Sequence, residues 1–264
     1  MRLEALGEKH PFLQANLPFW ERYLHSRDEV DGLLREMLEA ADLEASLFWE
    51  DMHRGKPLLA YGTVRLSAAG LNALSRAFCR GMGLPYHPVD LPTPLPLHED
   101  LSVAPDTGGF VAAEVHAAIA AWAENAVAGD KEINWLEPFC PICGAPAAMG
   151  LITPAGKKNL ICSHCQSVWV YLRTACGRCG HSPERGFTFF YADEEPDWFI
   201  EVCEACGHYL KVADMRDRLP EIVSYPLYYL TTWELDLAIR SQGFAPSFFD
   251  VFCRAGWLQP AKVN

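Results

Sequence analysis

The sequence predicts an α+β chain: an N-terminal α-helical domain, then two small zinc-ribbon-like metal modules, then a C-terminal helix. Three observations predict it. Apolar residues in the first half recur at helical spacing. Eight of the ten cysteines fall in four Cys-x-x-Cys pairs between Cys140 and Cys206, among short β-rich runs. The charge changes at the same boundary: 21 carboxylates against 11 Lys and Arg up to Phe139, but 13 against 11 beyond it. The implied layout is a helical domain over 1–135, metal modules over 136–175 and 176–215, and a helical tail over 216–264.

In the first region, Val30, Leu33, Leu34, Met37 and Leu38 recur every three or four residues and make one apolar face. Ser26 or Asp28 is the expected cap. A second helix is expected from Ser67 to Arg80, with Leu71, Leu74, Phe78 and Cys79 inward and Gly81 and Gly83 ending it. A third is expected from Gly109 to Val127, rich in alanine, the strongest helix former. Leu84 to Thr107 carries six prolines, which disfavour helix interiors and central strands alike. It reads as an extended connector or binding loop.

The second region reads as strands: Val168 to Leu172, Phe187 to Tyr191, Trp198 to Val202 and Leu210 to Val212, short and rich in β-branched and aromatic residues. Helical spacing returns from Tyr228 to Arg240, with Leu230, Trp233 and Leu237 on one face.

The cysteine pairs are Cys140 and Cys143, Cys162 and Cys165, Cys176 and Cys179, and Cys203 and Cys206. Two intervening residues let both thiolates of a pair converge on one ion from a tight turn. Gly144, Gly180 and Gly207 follow three of the pairs, where a positive φ turns backbone N–H groups toward sulfur. Eighteen residues separate the first pair from the second, ten the second from the third, and twenty-three the third from the fourth. The first interval fits a four-thiolate ribbon. Sequential pairing, first with second and third with fourth, closes the shorter loops. A crossed arrangement stays open on spacing alone. Each module of about forty residues is too small to fold on apolar burial. A bound ion, with on the order of 10–16 kcal/mol of coupled binding energy, is therefore expected to be its core. Zinc and iron share this tetrahedral four-sulfur geometry.

His164, His181 and His208 lie in or beside the knuckles and read as partly exposed rather than as ligands. Cys79 and Cys253 read as apolar packing. The run Asp193, Glu194, Glu195 and Asp197 reads as a solvated loop. A net charge of −12 argues against binding nucleic acid through phosphate contacts. Met1 to Lys9 has no apolar core like a secretory signal, and no run of about 18 apolar residues spans a membrane. A cytoplasmic location is expected, where thiols stay reduced. The chain shows no nucleotide-binding glycine loop, no His-Glu-x-x-His and no nucleophile elbow. No catalytic residue is expected.

CPICG, then LICSHCQSVWVYLRTACGRCG, then EVCEACGHYLKV, with a helix ending near LDLAIRSQGF, resembles the formate dehydrogenase accessory proteins of the FdhE family. The resemblance covers about the C-terminal half. It implies a helical domain followed by two rubredoxin-like modules, each holding one iron ion on four of the eight cysteines. It also implies a cytoplasmic assembly factor that binds the catalytic subunit of a respiratory formate dehydrogenase. A rubredoxin-like electron carrier is the alternative; a nucleic-acid-binding ribbon protein ranks third.

Overall fold

The computed structural model describes residues 8, 14–38, 52, 54–58, 67–86, 88, 117–118, 121, 135–182, 184, 187–191, 197–216 and 232–246. The third expected helix, the proline-rich stretch beyond 88, the acidic run before Asp197, Leu230 and Cys253 lie essentially outside these residues. Ala117, Ala118 and Ala121 alone represent that helix, and they are helical. The chain divides into two compact units. One holds Gln14–Ile133 with Ile142–Gly144 and Asp250–Asn264; the other holds Met1–Leu13, Asn134–Pro141 and Ala145–Phe249.

The helical unit is built on α1 (Leu17–Leu38) and α2 (Ala68–Met82). Trp20, Tyr23, Ser26, Val30 and Leu34 make the buried stripe of α1, spaced three or four apart. The helix therefore begins two turns before the expected cap. Asn16 opens it, its carbonyl accepting from the N–H groups of Phe19 and Trp20, with Pro18 in the first turn. Ser26 is not a cap. It lies mid-helix, where its hydroxyl donates to the Arg22 carbonyl one turn back (2.6 Å).

α2 follows its expected limits closely. Ser67 caps it, Oγ accepting from the Gly70 N–H at 3.0 Å, and Gly83 ends it at φ 68°. Gly81 does not terminate the helix. A Cβ there would lie 2.3 Å from Ser26 Oγ, so the absence of a side chain lets α1 and α2 approach. Leu71, Leu74, Phe78 and Cys79 all face inward, as their spacing requires.

The second unit is a seven-stranded sheet: β1 (Ala147–Ile152), β2 (Lys158–Cys162), β3 (Val168–Tyr171), β4 (Thr188–Tyr191), β5 (Trp198–Cys203), β6 (His208–Asp214) and β7 (Ala245–Pro246). The order is β3-β2-β1-β6-β5-β4, with β7 beside β6. Each trio is an antiparallel meander, and the two join through a parallel β1–β6 pair, Met149 opposite Lys211 to Ile152 opposite Asp214. The two cysteine-bearing halves therefore share one continuous sheet.

α3 (Trp233–Arg240) packs on the sheet through Ile239 and Leu235, against Ile200, Val202 and Tyr209. This corrects the expected face, since Leu237 is half exposed. The reason is polar. Asp236 must point at the sheet, accepting from Lys211 Nζ (2.7 Å) and Tyr209 Oη (2.6 Å), and that sets the rotation of the helix. No helix among the described residues is long and apolar enough to cross a membrane.

Candidate metal centres

The four Cys-x-x-Cys turns share one backbone plan. The N–H of the first cysteine bonds the carbonyl five residues on: Cys140 to Ala145 (2.8 Å), Cys162 to Ser167 (2.9 Å) and Cys176 to His181 (2.8 Å). In the fourth turn, Cys203 pairs with His208 at the β5–β6 hairpin. The chain reverses just after the second cysteine, in the left-handed region: Gly144 (φ 77°), Gln166 (65°), Gly180 (74°) and Gly207 (70°). Gln166 is the one non-glycine residue with a positive φ among the described residues. Position in the repeat, rather than residue type, would have identified it.

These turns gather the sulfurs into two groups. Cys140, Cys143, Cys162 and Cys165 form one, and Cys176, Cys179, Cys203 and Cys206 the other, with all donor atoms of a group within 4.8 Å of one another. The pairing is sequential; the crossed arrangement does not occur. Four sulfurs about 2.3 Å from a central ion in a tetrahedron lie about 3.8 Å apart. The sulfurs of Cys140 and Cys165 are 3.6 Å apart, those of Cys176 and Cys206 3.9 Å, and those of Cys179 and Cys203 3.9 Å. The donor set thus fits a divalent or trivalent transition metal, with no protein-free position in the shell.

Backbone donors offset the thiolate charge. The N–H of His164 points at Cys162 Sγ and that of Arg178 at Cys176 Sγ, each at 3.3 Å. The Ser167 hydroxyl lies 3.0 Å from Cys165 Sγ, a contact that no sequence signal marked. The three histidines stay outside both groups of ligand atoms. His208 Nδ1 instead donates to the Cys206 carbonyl (2.7 Å).

The second group is anchored from beneath. Tyr171 Oη donates to the Cys176 carbonyl (3.1 Å), and Lys158 Nζ lies 3.5 Å from the Ala175 carbonyl. Lys158 is itself buried and paired with the buried Glu201 at 2.7 and 2.9 Å. Burial pushes the Glu201 carboxyl up, and Lys158 opposes the shift. Without an ion, burial raises the Cys176 thiol far above its ordinary value and pushes Cys206 up to about 11. At Cys179 desolvation still opposes ionisation, but bonds from the His181 N–H and the neighbouring thiols outweigh it and hold the thiol below its usual range. Cys79 stands apart, buried in α2, where desolvation raises its thiol.

A helical unit and a sheet carrying two closed four-thiol clusters define a mixed helix-and-sheet protein whose eight cysteines could hold two metal ions. No family model matches the chain. It is similar to the Protein FdhE homolog of Aquifex aeolicus, 29% identical over 118 residues, 42% of this chain and 40% of that protein. A homolog of the same name from Stutzerimonas stutzeri is 29% identical over 148 residues, 54% of this chain and 47% of the relative. Both matches span less than half of the relative's length. The crystal structure of the FdhE protein from Pseudomonas aeruginosa shares the fold at a TM-score of 0.58 and 22% identity, covering 92% of this chain and 90% of that one. The chain is thus similar to FdhE proteins in sequence over about half its length and shares the fold of one of them over nearly all of it.

Proposed function

We propose that the chain is a cytoplasmic accessory factor that binds the catalytic subunit of a respiratory formate dehydrogenase and supports its maturation. One iron ion sits on Cys140, Cys143, Cys162 and Cys165, and a second on Cys176, Cys179, Cys203 and Cys206. The observation that carries this reading is the pair of closed four-thiol clusters on one sheet, within an FdhE fold. Four protein donors leave no position for substrate or water, so the ions organise the fold rather than perform hydrolysis. The chain is not an enzyme on this reading. Zinc fits the same donors, and a zinc-filled protein would keep the structural role.

The test is affinity capture from cells making the dehydrogenase under anaerobic conditions, with this chain as bait. Recovery of the catalytic subunit, lost when Cys176 and Cys179 are replaced by Ala, supports the proposal. A bait carrying its metals that recovers no dehydrogenase subunit overturns it.

A second reading, a rubredoxin-like electron carrier, draws on the exposure of Cys179, since electron transfer to a partner favours a ligand sulfur near solvent. Reversible reduction with the visible spectrum of a ferric four-thiolate site supports that reading. A chain that takes only zinc eliminates it.

A further inference from the structure

The two clusters share a backbone plan but not a surrounding. All four cysteines of the first are buried, none more than 4% exposed. In the second, Cys176 and Cys203 are buried, Cys206 is half-buried and Cys179 is exposed. We infer that the second cluster is the exchangeable centre of this protein, opened at Cys179, while the first is a closed structural centre. This rests on the metal-binding reading above and adds to it a division of labour between the sites.

The physical argument concerns access. A four-thiolate ion has no vacant position, so a metal leaves only when an incoming donor approaches as one protein sulfur lets go. At the first cluster an incoming thiol or chelator meets no solvent-facing sulfur. Cys165 is further held by the Ser167 hydroxyl, and Cys162 by the N–H of His164. At the second cluster the attachments are lopsided. The Cys176 side is fixed to the sheet, with Tyr171 on the Cys176 carbonyl and Lys158 beside that of Ala175. Gly177 packs so closely that a Cβ there would lie 3.1 Å from side-chain carbons of Leu160 and Leu210. The other end of the same turn carries Cys179 to the surface, and a Cβ on the following Gly180 would meet nothing nearer than 3.9 Å. One end of the knuckle is packed against the sheet, and the other, held by turn hydrogen bonds such as Gly180 N–H to the Cys176 carbonyl (3.0 Å), faces solvent.

The exchange step is a ligand substitution without electron transfer. The bond between the ion and Cys179 Sγ breaks, the sulfur leaves with its electron pair and takes a proton from solvent, and a donor atom of the incoming ligand fills the vacated position. Three further substitutions, at Cys206 and then at the buried Cys176 and Cys203, would complete the transfer. A small thiol or an aminocarboxylate chelator is the class of ligand that fits an opening one sulfur wide. Cys179 and Cys206 are also the two sulfurs that an oxidant or alkylating agent reaches first.

The experiment uses the full chain purified without oxygen, with its metals in place. EDTA is added in excess and released metal is followed with time, while parallel samples are pulsed with iodoacetamide and mapped by peptide mass spectrometry. The expected result is two phases of equal amplitude, one ion leaving at least about tenfold faster than the other, with Cys179 labelled first and the 140–165 cysteines last. Replacing Cys179 with Ser removes the fast ion and leaves the slow one. The labelling order needs no variant, so it stands even if C179S folds poorly. Two ions leaving at one rate, or earliest labelling at Cys140, Cys143, Cys162 or Cys165, overturns the inference and leaves the metal reading intact. A chain that carries no ion overturns the metal reading and the inference together.

Discussion

Gln166 occupies the position that glycine holds in the other three knuckles, at φ 65°. A left-handed residue with a Cβ costs about 1–2 kcal/mol, and glycine's greater chain entropy offsets about 0.5–1 kcal/mol of any relief. Gln166→Gly is therefore expected to stabilise the metal-loaded protein by about 0.5 kcal/mol, and Gln166→Val to destabilise it, both read by urea unfolding. Lys158 and Glu201 test a different residue-scale claim. Lys158→Met alone leaves a buried carboxylate unpaired and is expected to cost about 3–5 kcal/mol, whereas Lys158→Met with Glu201→Leu costs much less. A double-mutant unfolding cycle measures the difference. The cysteines were legible because a Cys-x-x-Cys turn is local chemistry. The ion pair was not, because its partners lie 43 residues apart and meet only through the sheet.

Where sequence periodicity is strong, the elements follow it. α2 matched because Ser67 and Gly83 mark both ends with local capping chemistry. Replacing Ser67 with Ala is expected to cost about 1 kcal/mol of unfolding free energy. Gly81→Ala weighs two effects: helix propensity gains about 1 kcal/mol, but the new methyl overlaps Ser26 and overpacking costs about 1–3 kcal/mol. Net destabilisation is expected in thermal melts. α1 opens at Asn16 rather than at Ser26 or Asp28 because its buried stripe runs back through Tyr23 and Trp20, aromatic residues outside the Val30–Leu38 periodicity. β1 went unseen because Ala147–Ile152 is nearly devoid of β-branched residues; it is a strand because β2 and β6 flank it on both sides. The rotation of α3 departs from its hydrophobic spacing because Lys211, a fully buried cation, needs Asp236 as its partner. Asp236→Ala is accordingly expected to destabilise by about 3–5 kcal/mol, more than Leu237→Ala on the exposed side.

Across the whole molecule, the division into a helical part and a cysteine-rich sheet was readable from the charge and cysteine boundary near Cys140. The merging of both cysteine halves into one sheet was not, because the parallel β1–β6 pair joins strands more than fifty residues apart. That merging has an energetic consequence. A four-thiolate ion contributes on the order of 10–16 kcal/mol at neutral pH, comparable to the entire 5–15 kcal/mol stability of an ordinary domain. Stripping the metals under reducing conditions is therefore expected to unfold the sheet, seen as loss of its β signal in circular dichroism. Acid does the same, because protons compete with the ion for the thiolates and retention falls as pH falls. The central claim, that ions on the eight cysteines hold this sheet together, is tested most directly by elemental analysis of protein purified without oxygen. The account predicts two transition-metal ions per chain. A metal-free chain that keeps its sheet intact would contradict it.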